Sequence, residues 1–174
     1  MHGFFPQVAE EYYSSHDLER IRKAKTFAEI REVVLEVMAR WGGNFCIVCG
    51  PMTSGGVGDF KRNLVYFGRA INWLVDRGER VLTQLSFENR VQQLKTKPRY
   101  RDGRKLMPEL YEPIFRSSLI VRAYFIPTFN DPRLKRLVSG WESSTGARFE
   151  HKLCQKLKIP IEYLPQAAMQ FTRA

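Results

Sequence analysis

The stretch whose reading decides the fold is NFCIVCGPMTSGGVGDF, Asn44–Phe60. Six mostly apolar residues run into Gly-Pro. The loop Met-Thr-Ser-Gly-Gly-Val-Gly follows, and helical spacing takes over from Phe60. A buried strand, a glycine loop and a helix start, in that order, open a βα unit. Glycine lets backbone N–H groups approach a ligand closely, and a helix N-terminus adds partial positive charge. Such a loop suits an anionic or sugar-like ligand. The spacing is neither G-x-G-x-x-G nor a P-loop, since no Gly-Lys-Ser/Thr is present. A tight strand-to-helix turn is the plainer alternative.

Helices and strands alternate outward from this unit. Upstream, Ser15 to Trp41 has helical spacing. A new start falls at the capping box Thr26-Phe-Ala-Glu29, and Phe27, Ile30, Val34, Val37, Met38 and Trp41 form one stripe before Gly42-Gly43. Downstream, Phe60, Leu64, Phe67, Ile71, Leu74 and Val75 give a helix closed by Gly78. Strands are expected at Arg80–Ser86, Ser117–Ile126 and Pro160–Leu164, with a long helix over Ser144–Lys158. This order predicts an α/β fold: a Rossmann-like three-layer α/β/α domain with a mainly parallel sheet of about five strands. A single domain over 1–174 is expected, with 1–43 as an N-terminal helical extension packed on a core of 44–165. Ligands of such sheets bind beyond the carboxyl ends of the strands. Two connections are long: the basic stretch Glu88–Lys105, and Pro127–Glu142. The basic one offers Lys95, Lys97, Arg99, Arg101, Arg104 and Lys105 to phosphate, or is a solvated, partly disordered loop.

Composition narrows the function classes. The chain has 174 residues, 44% of them hydrophobic, which fits one globular domain. No apolar run approaches the ~20 residues of a membrane span. The opening MHGFFPQVAEEYY has no basic segment followed by an apolar one, so a cytoplasmic location is expected. The net charge of +10 favours an anionic partner or serves solubility. Three cysteines are too few for a disulfide framework. Cys46 and Cys49 lie three apart on a strand and point to opposite faces, so they cannot close one metal site. His2, His16 and His151 are scattered. No metal and no cofactor is expected.

The second chemical motif is SSTGARFEHKLCQKLKIPIEYL, Ser143–Leu164. Ser144 suits an N-cap, and Gly146 falls in the first turn. Glu150, Leu153, Cys154 and Leu157 share one face, apolar apart from the carboxylate. A carboxylate aimed at the sheet needs a partner or a task. A glutamate that snorkels out is the plainer alternative.

CGPMTSGG after a strand, with S-x-G-x-x-x-E opening a later helix that leads to K-I-P-I, resembles the nucleoside deoxyribosyltransferase superfamily. Within it the nucleoside monophosphate N-glycosidases are most alike, and a group of uncharacterised domains shares the strand followed by Gly-Pro-Met-Thr. The resemblance covers about Asn44 to Leu164. It implies that Glu150 is the nucleophile at the anomeric carbon of a (deoxy)ribose, with a second acid assisting the leaving base. It also implies that Ser144 and Gly146 bind phosphate, and that Gly50, Pro51, Met52, Thr53, Ser54, Gly55 and Gly56 line the sugar and base pocket. Arg148 stands where small residues are common and bears on substrate shape. The assisting acid has no clear equivalent; Glu109, Glu112 and Asp131 are the candidates. The expected partner is a small nucleotide or nucleoside. A nucleotide-binding module without catalysis is the alternative, nucleic acid is a third reading, and homo-oligomer formation stays open.

Overall fold

The computed structural model describes residues 12–170, which leaves His2 and the opening segment outside. The element order is α1 (Ser15–Lys23), α2 (Phe27–Arg40), β1 (Phe45–Cys49), α3 (Phe60–Val75), β2 (Val81–Leu82), α4 (Leu85–Lys95), α5 (Glu112–Arg116), β3 (Ile120–Phe125), β4 (Phe129–Asp131), β5 (Arg136–Val138), α6 (Thr145–Leu157) and β6 (Ile161–Tyr163). A π-helical turn, Met107–Tyr111, runs directly into α5.

The main sheet is wholly parallel with strand order β2-β1-β3-β6. This is a Rossmann-like α/β arrangement with four strands. The remaining two strands, β4 and β5, form a separate antiparallel hairpin. The chain passes from β1 to β2 on one side, then returns to place β3 on the other. β1 therefore borders the switch point at which such sheets bind ligands.

Period-two alternation along β1 feeds two cores. Phe45, Ile47 and Cys49 pack with α2, α4, α5 and α6, whereas Cys46 and Val48 pack with α3 and the C-terminal segment. The two cysteines thus occupy opposite faces, buried and unpaired with each other. Phe27, Ile30, Val33, Val34, Val37 and Met38 of α2 are fully buried in the same cluster as the strands. The N-terminal helices therefore contribute to the central core, and truncating a side chain such as Phe27 costs about 3–5 kcal/mol.

Local signals explain the helix starts. Ser14 and Asp17 form a reciprocal capping box on α1. Thr26 caps α2 by accepting from Glu29 N at 3.1 Å, but the Glu29 carboxylate turns to Lys25 N at 2.7 Å, so only half of the expected box forms. Trp41 leaves the stripe: it is the C-cap residue, is exposed, and donates its indole N–H to Tyr12 O at 3.0 Å.

Three expectations need correction. The strand expected over 80–86 contracts to Val81–Leu82, because Leu85 already begins α4. Phe87, Val91 and Leu94 recur at helical spacing and are buried, so most of the supposed basic loop 88–105 is helix followed by ordered turns. The long connection 127–142 contains the β4–β5 hairpin, whose three-residue strands flank Pro132 and are too short for a periodic signal.

Candidate functional site

A cavity of about 430 Å³ opens at the carboxyl edge of the sheet. Gly50 and Met52–Ser54 after β1 form one wall, and Gln84 and Glu88 after β2 form another. Ser144–Ala147, Phe149 and Glu150 of α6 and its cap close the opposite side, with Tyr111 of the π-helical turn beside them. The two sequence motifs therefore meet, although about ninety residues of chain separate them.

The glycine loop has a definite scaffold. Asn63 of α3, only 3% exposed, accepts from Val57 N at 3.0 Å and donates to Met52 O at 2.9 Å and Gly55 O at 3.2 Å. Gly56 N donates to Ser143 Oγ at 3.0 Å, and that hydroxyl donates to Gly140 O at 2.7 Å. At Gly55 φ is +73°, and a Cβ would lie 2.2 Å from Ser143 Oγ, so only glycine fits this crossing. Asn63 was not foreseen; its signal was a polar residue in the first turn of a helix that follows a glycine loop.

The α6 motif folds as its spacing implies. Ser144 is the N-cap and accepts from Ala147 N at 3.3 Å. Glu150 is 7% exposed and shares its buried face with Ala147, Leu153 and Cys154. Burial pushes its carboxyl up to about 8; the Cys49 thiol donates to it and opposes the rise, while the nearby Glu88 charge adds to it.

Glu88 is the second carboxyl in the cavity. It is 3% exposed, accepts from Gln92 Nε2 at 2.6 Å, and lies 3.5 Å from the Tyr111 hydroxyl. Burial raises its pKa, opposed by Gln92, Lys95 and Tyr111. Tyr111 is itself pushed well up by burial, then by the charges of Glu88 and Glu150. Burial and the Glu88 charge together favour a state in which Glu150 holds its proton. Gln84 adds a fixed acceptor. Its Nε2 donates to Val48 O at 2.7 Å, which sets the amide orientation, and its buried Oε1 meets no protein donor.

The candidates for the assisting acid lie elsewhere. Glu109 bonds Arg99 and Tyr100, each at 3.2 Å. Glu112 pairs with Arg116 at 2.7 Å. Asp131 bonds the Tyr66 hydroxyl and accepts from Arg133 N and Leu134 N in the hairpin turn. None of the three lines the cavity. The acid that lines the cavity beside Glu150 is Glu88, which the sequence places at the start of a long basic connection. Arg148 is exposed, contacts Glu142 O at 3.4 Å, and does not line the cavity either. Pro51, Gly55 and Gly56 shape the loop from behind; Gly50, Met52, Thr53, Ser54, Ser144 and Gly146 face the cavity.

His151 stacks on Trp141 with ring centroids 4.1 Å apart and bonds Tyr163 at 2.8 Å, outside the cavity lining. Among the described residues, no group of three His, Cys, Asp or Glu side chains is placed to hold a metal ion. No helix of the described residues is long and apolar enough to cross a membrane. No protein-family model, curated protein or solved structure matches the chain.

Proposed function

We propose that the cavity binds a nucleotide or nucleoside and that the protein breaks, or transfers across, its N-glycosidic bond. One observation carries the reading: two buried carboxyls, Glu150 of α6 and Glu88 of α4, face one cavity beside a glycine loop. A carboxyl pair of this kind suits glycosidic chemistry by the retaining route. Ionised Glu150 attacks the anomeric carbon while the carbon–nitrogen bond to the base breaks. Glu88 in its acid form gives its proton to the leaving base. Glu88 then takes a proton from water, or from a second base, as that group displaces Glu150 from the sugar. Ser144, Gly146 and the N-terminus of α6 suit a phosphate at the far end of the substrate. Gln84 Oε1 suits an O–H or N–H of the ligand.

The test is a panel of nucleosides and nucleoside monophosphates, with free base read by chromatography. Base release that is lost in Glu150→Gln supports the reading. A non-catalytic nucleotide-binding module is the second reading, favoured by the burial that keeps Glu150 in its acid form at neutral pH. Tight nucleotide binding without base release at any pH between 6 and 9 would establish it instead.

A further inference from the structure

Half of the net charge of the chain lies in one eleven-residue segment that touches the cavity. Residues 95–105 hold six cations, Lys95, Lys97, Arg99, Arg101, Arg104 and Lys105, against the single acid Asp102. That is +5 in eleven residues, out of +10 for the whole chain. Lys95, Gly103 and Arg104 line the cavity, so the segment borders its mouth. Lys97, Arg101 and Lys105 are exposed and form no ion pair among the described residues.

These charges are presented on a folded arch. Tyr100 at its centre is 1% exposed and packs on Phe27, with ring centroids 4.1 Å apart. Its hydroxyl bonds Glu109 at 3.2 Å, and the turns Tyr100 N to Lys97 O and Gly103 N to Tyr100 O fix the chain on either side. A buried anchor with cations on both sides holds like charges together at a fixed place, which costs self-repulsion unless an anion meets them. One monophosphate needs one or two cations; the α6 N-terminus already offers a site.

We propose that the arch is a track for the phosphates of a single-stranded nucleic acid, and that the cavity receives one nucleotide of that strand. This rests on the nucleotide reading of the cavity. A volume of about 430 Å³ admits one nucleotide, so its base must leave any stack, which a single strand permits at least cost. Phe149, 39% exposed on the cavity lining, offers a face for stacking. An anionic membrane is less suited, because Lys95 and Arg104 line a concave mouth rather than a flat apolar face.

The experiment compares the full chain with a triple variant, Lys97→Glu, Arg101→Glu and Lys105→Glu, which leaves Tyr100 and the cavity lining intact. Binding of a labelled ten-nucleotide single strand is followed by fluorescence anisotropy at several salt concentrations. The expected result is tenfold or greater weakening in the variant, and a salt slope shallower by about 2. Calorimetry should give the same affinity for a mononucleotide in both proteins, and thermal melting the same stability. The proposal is overturned if the oligonucleotide binds no better than the mononucleotide, if the variant binds it unchanged, if both ligands weaken equally, or if vesicles with anionic lipid are bound and the strand is not. Turnover is not read, so absence of base release leaves this inference standing.

Discussion

The backbone N–H of Gly56 donates to the hydroxyl of Ser143 at 3.0 Å, which ties the loop after the first strand to the residue before the N-cap of α6. The same hydroxyl occupies the place a Cβ on Gly55 would need. The wall of the cavity and the helix that carries Glu150 are therefore one mechanical unit.

Gly55→Ala should lose about 1–3 kcal/mol of stability, from a strained positive φ and the crowded crossing together. Ser143→Ala should lose about 1 kcal/mol and weaken nucleotide binding several-fold. Chemical denaturation and calorimetry check both. A Gly55→Ala protein as stable as the natural one would show that the loop and α6 do not touch in solution.

Glu150→Gln keeps the volume and removes the charge. Base release should fall by several orders of magnitude, about 4 kcal/mol or more of barrier. Glu88→Gln should fall less for substrates with good leaving bases than for poor ones, because its role is to protonate the base. Equal losses across leaving groups would remove Glu88 from that role.

Stability should fall as pH rises from about 5 to 8. An unfolded glutamate ionises near 4.5, whereas buried Glu150 keeps its proton until about 8. In that window the folded state binds the extra proton, so raising pH favours unfolding, by an amount on the order of a few kcal/mol. Activity needs Glu150 ionised and Glu88 protonated together, so its pH profile should be bell-shaped, rising as Glu150 ionises and falling as Glu88 loses its proton. Melting curves across pH, with Glu150→Gln flattening the slope, check the first; a rate profile checks the second.

Much of this fold was legible because its periods are regular. The β1 run, the α3 stripe and the face of α6 are each dictated by burial at spacings of two or 3.6 residues. The α4 helix hid behind its charges, since only Phe87, Val91 and Leu94 mark its buried side. The π-helical turn and α5 hid behind Pro108 and Pro113, which sit at first-turn positions where proline is tolerated. Glu150 could be found as the one carboxylate on an apolar face. Glu88 could not be paired with it, because their meeting depends on where α4 leaves the sheet.

Gln84→Met should separate ligands by what they donate. A nucleotide with a hydroxyl or amino group opposite Gln84 Oε1 should bind at least tenfold more weakly to the variant, while its analogue lacking that group should not. Ribose and deoxyribose pairs, and amino and unsubstituted purine pairs, identify which group it is. A uniform loss across every pair would make Gln84 a structural residue only.

The central place of β1 also governs how the protein is born. This fully buried strand leaves the ribosome with β2 and α3 soon behind it, but its second neighbour begins only at Ile120, and the anchor Ser143 comes later still. A nascent chain must shelter an apolar strand with one open edge while the roughly seventy residues between β1 and β3 are made. Parallel pairing across so long a separation closes slowly, since chain entropy is spent before the contacts form. Refolding in vitro should therefore pass through a sticky, half-built sheet, and recovery should improve at low protein concentration.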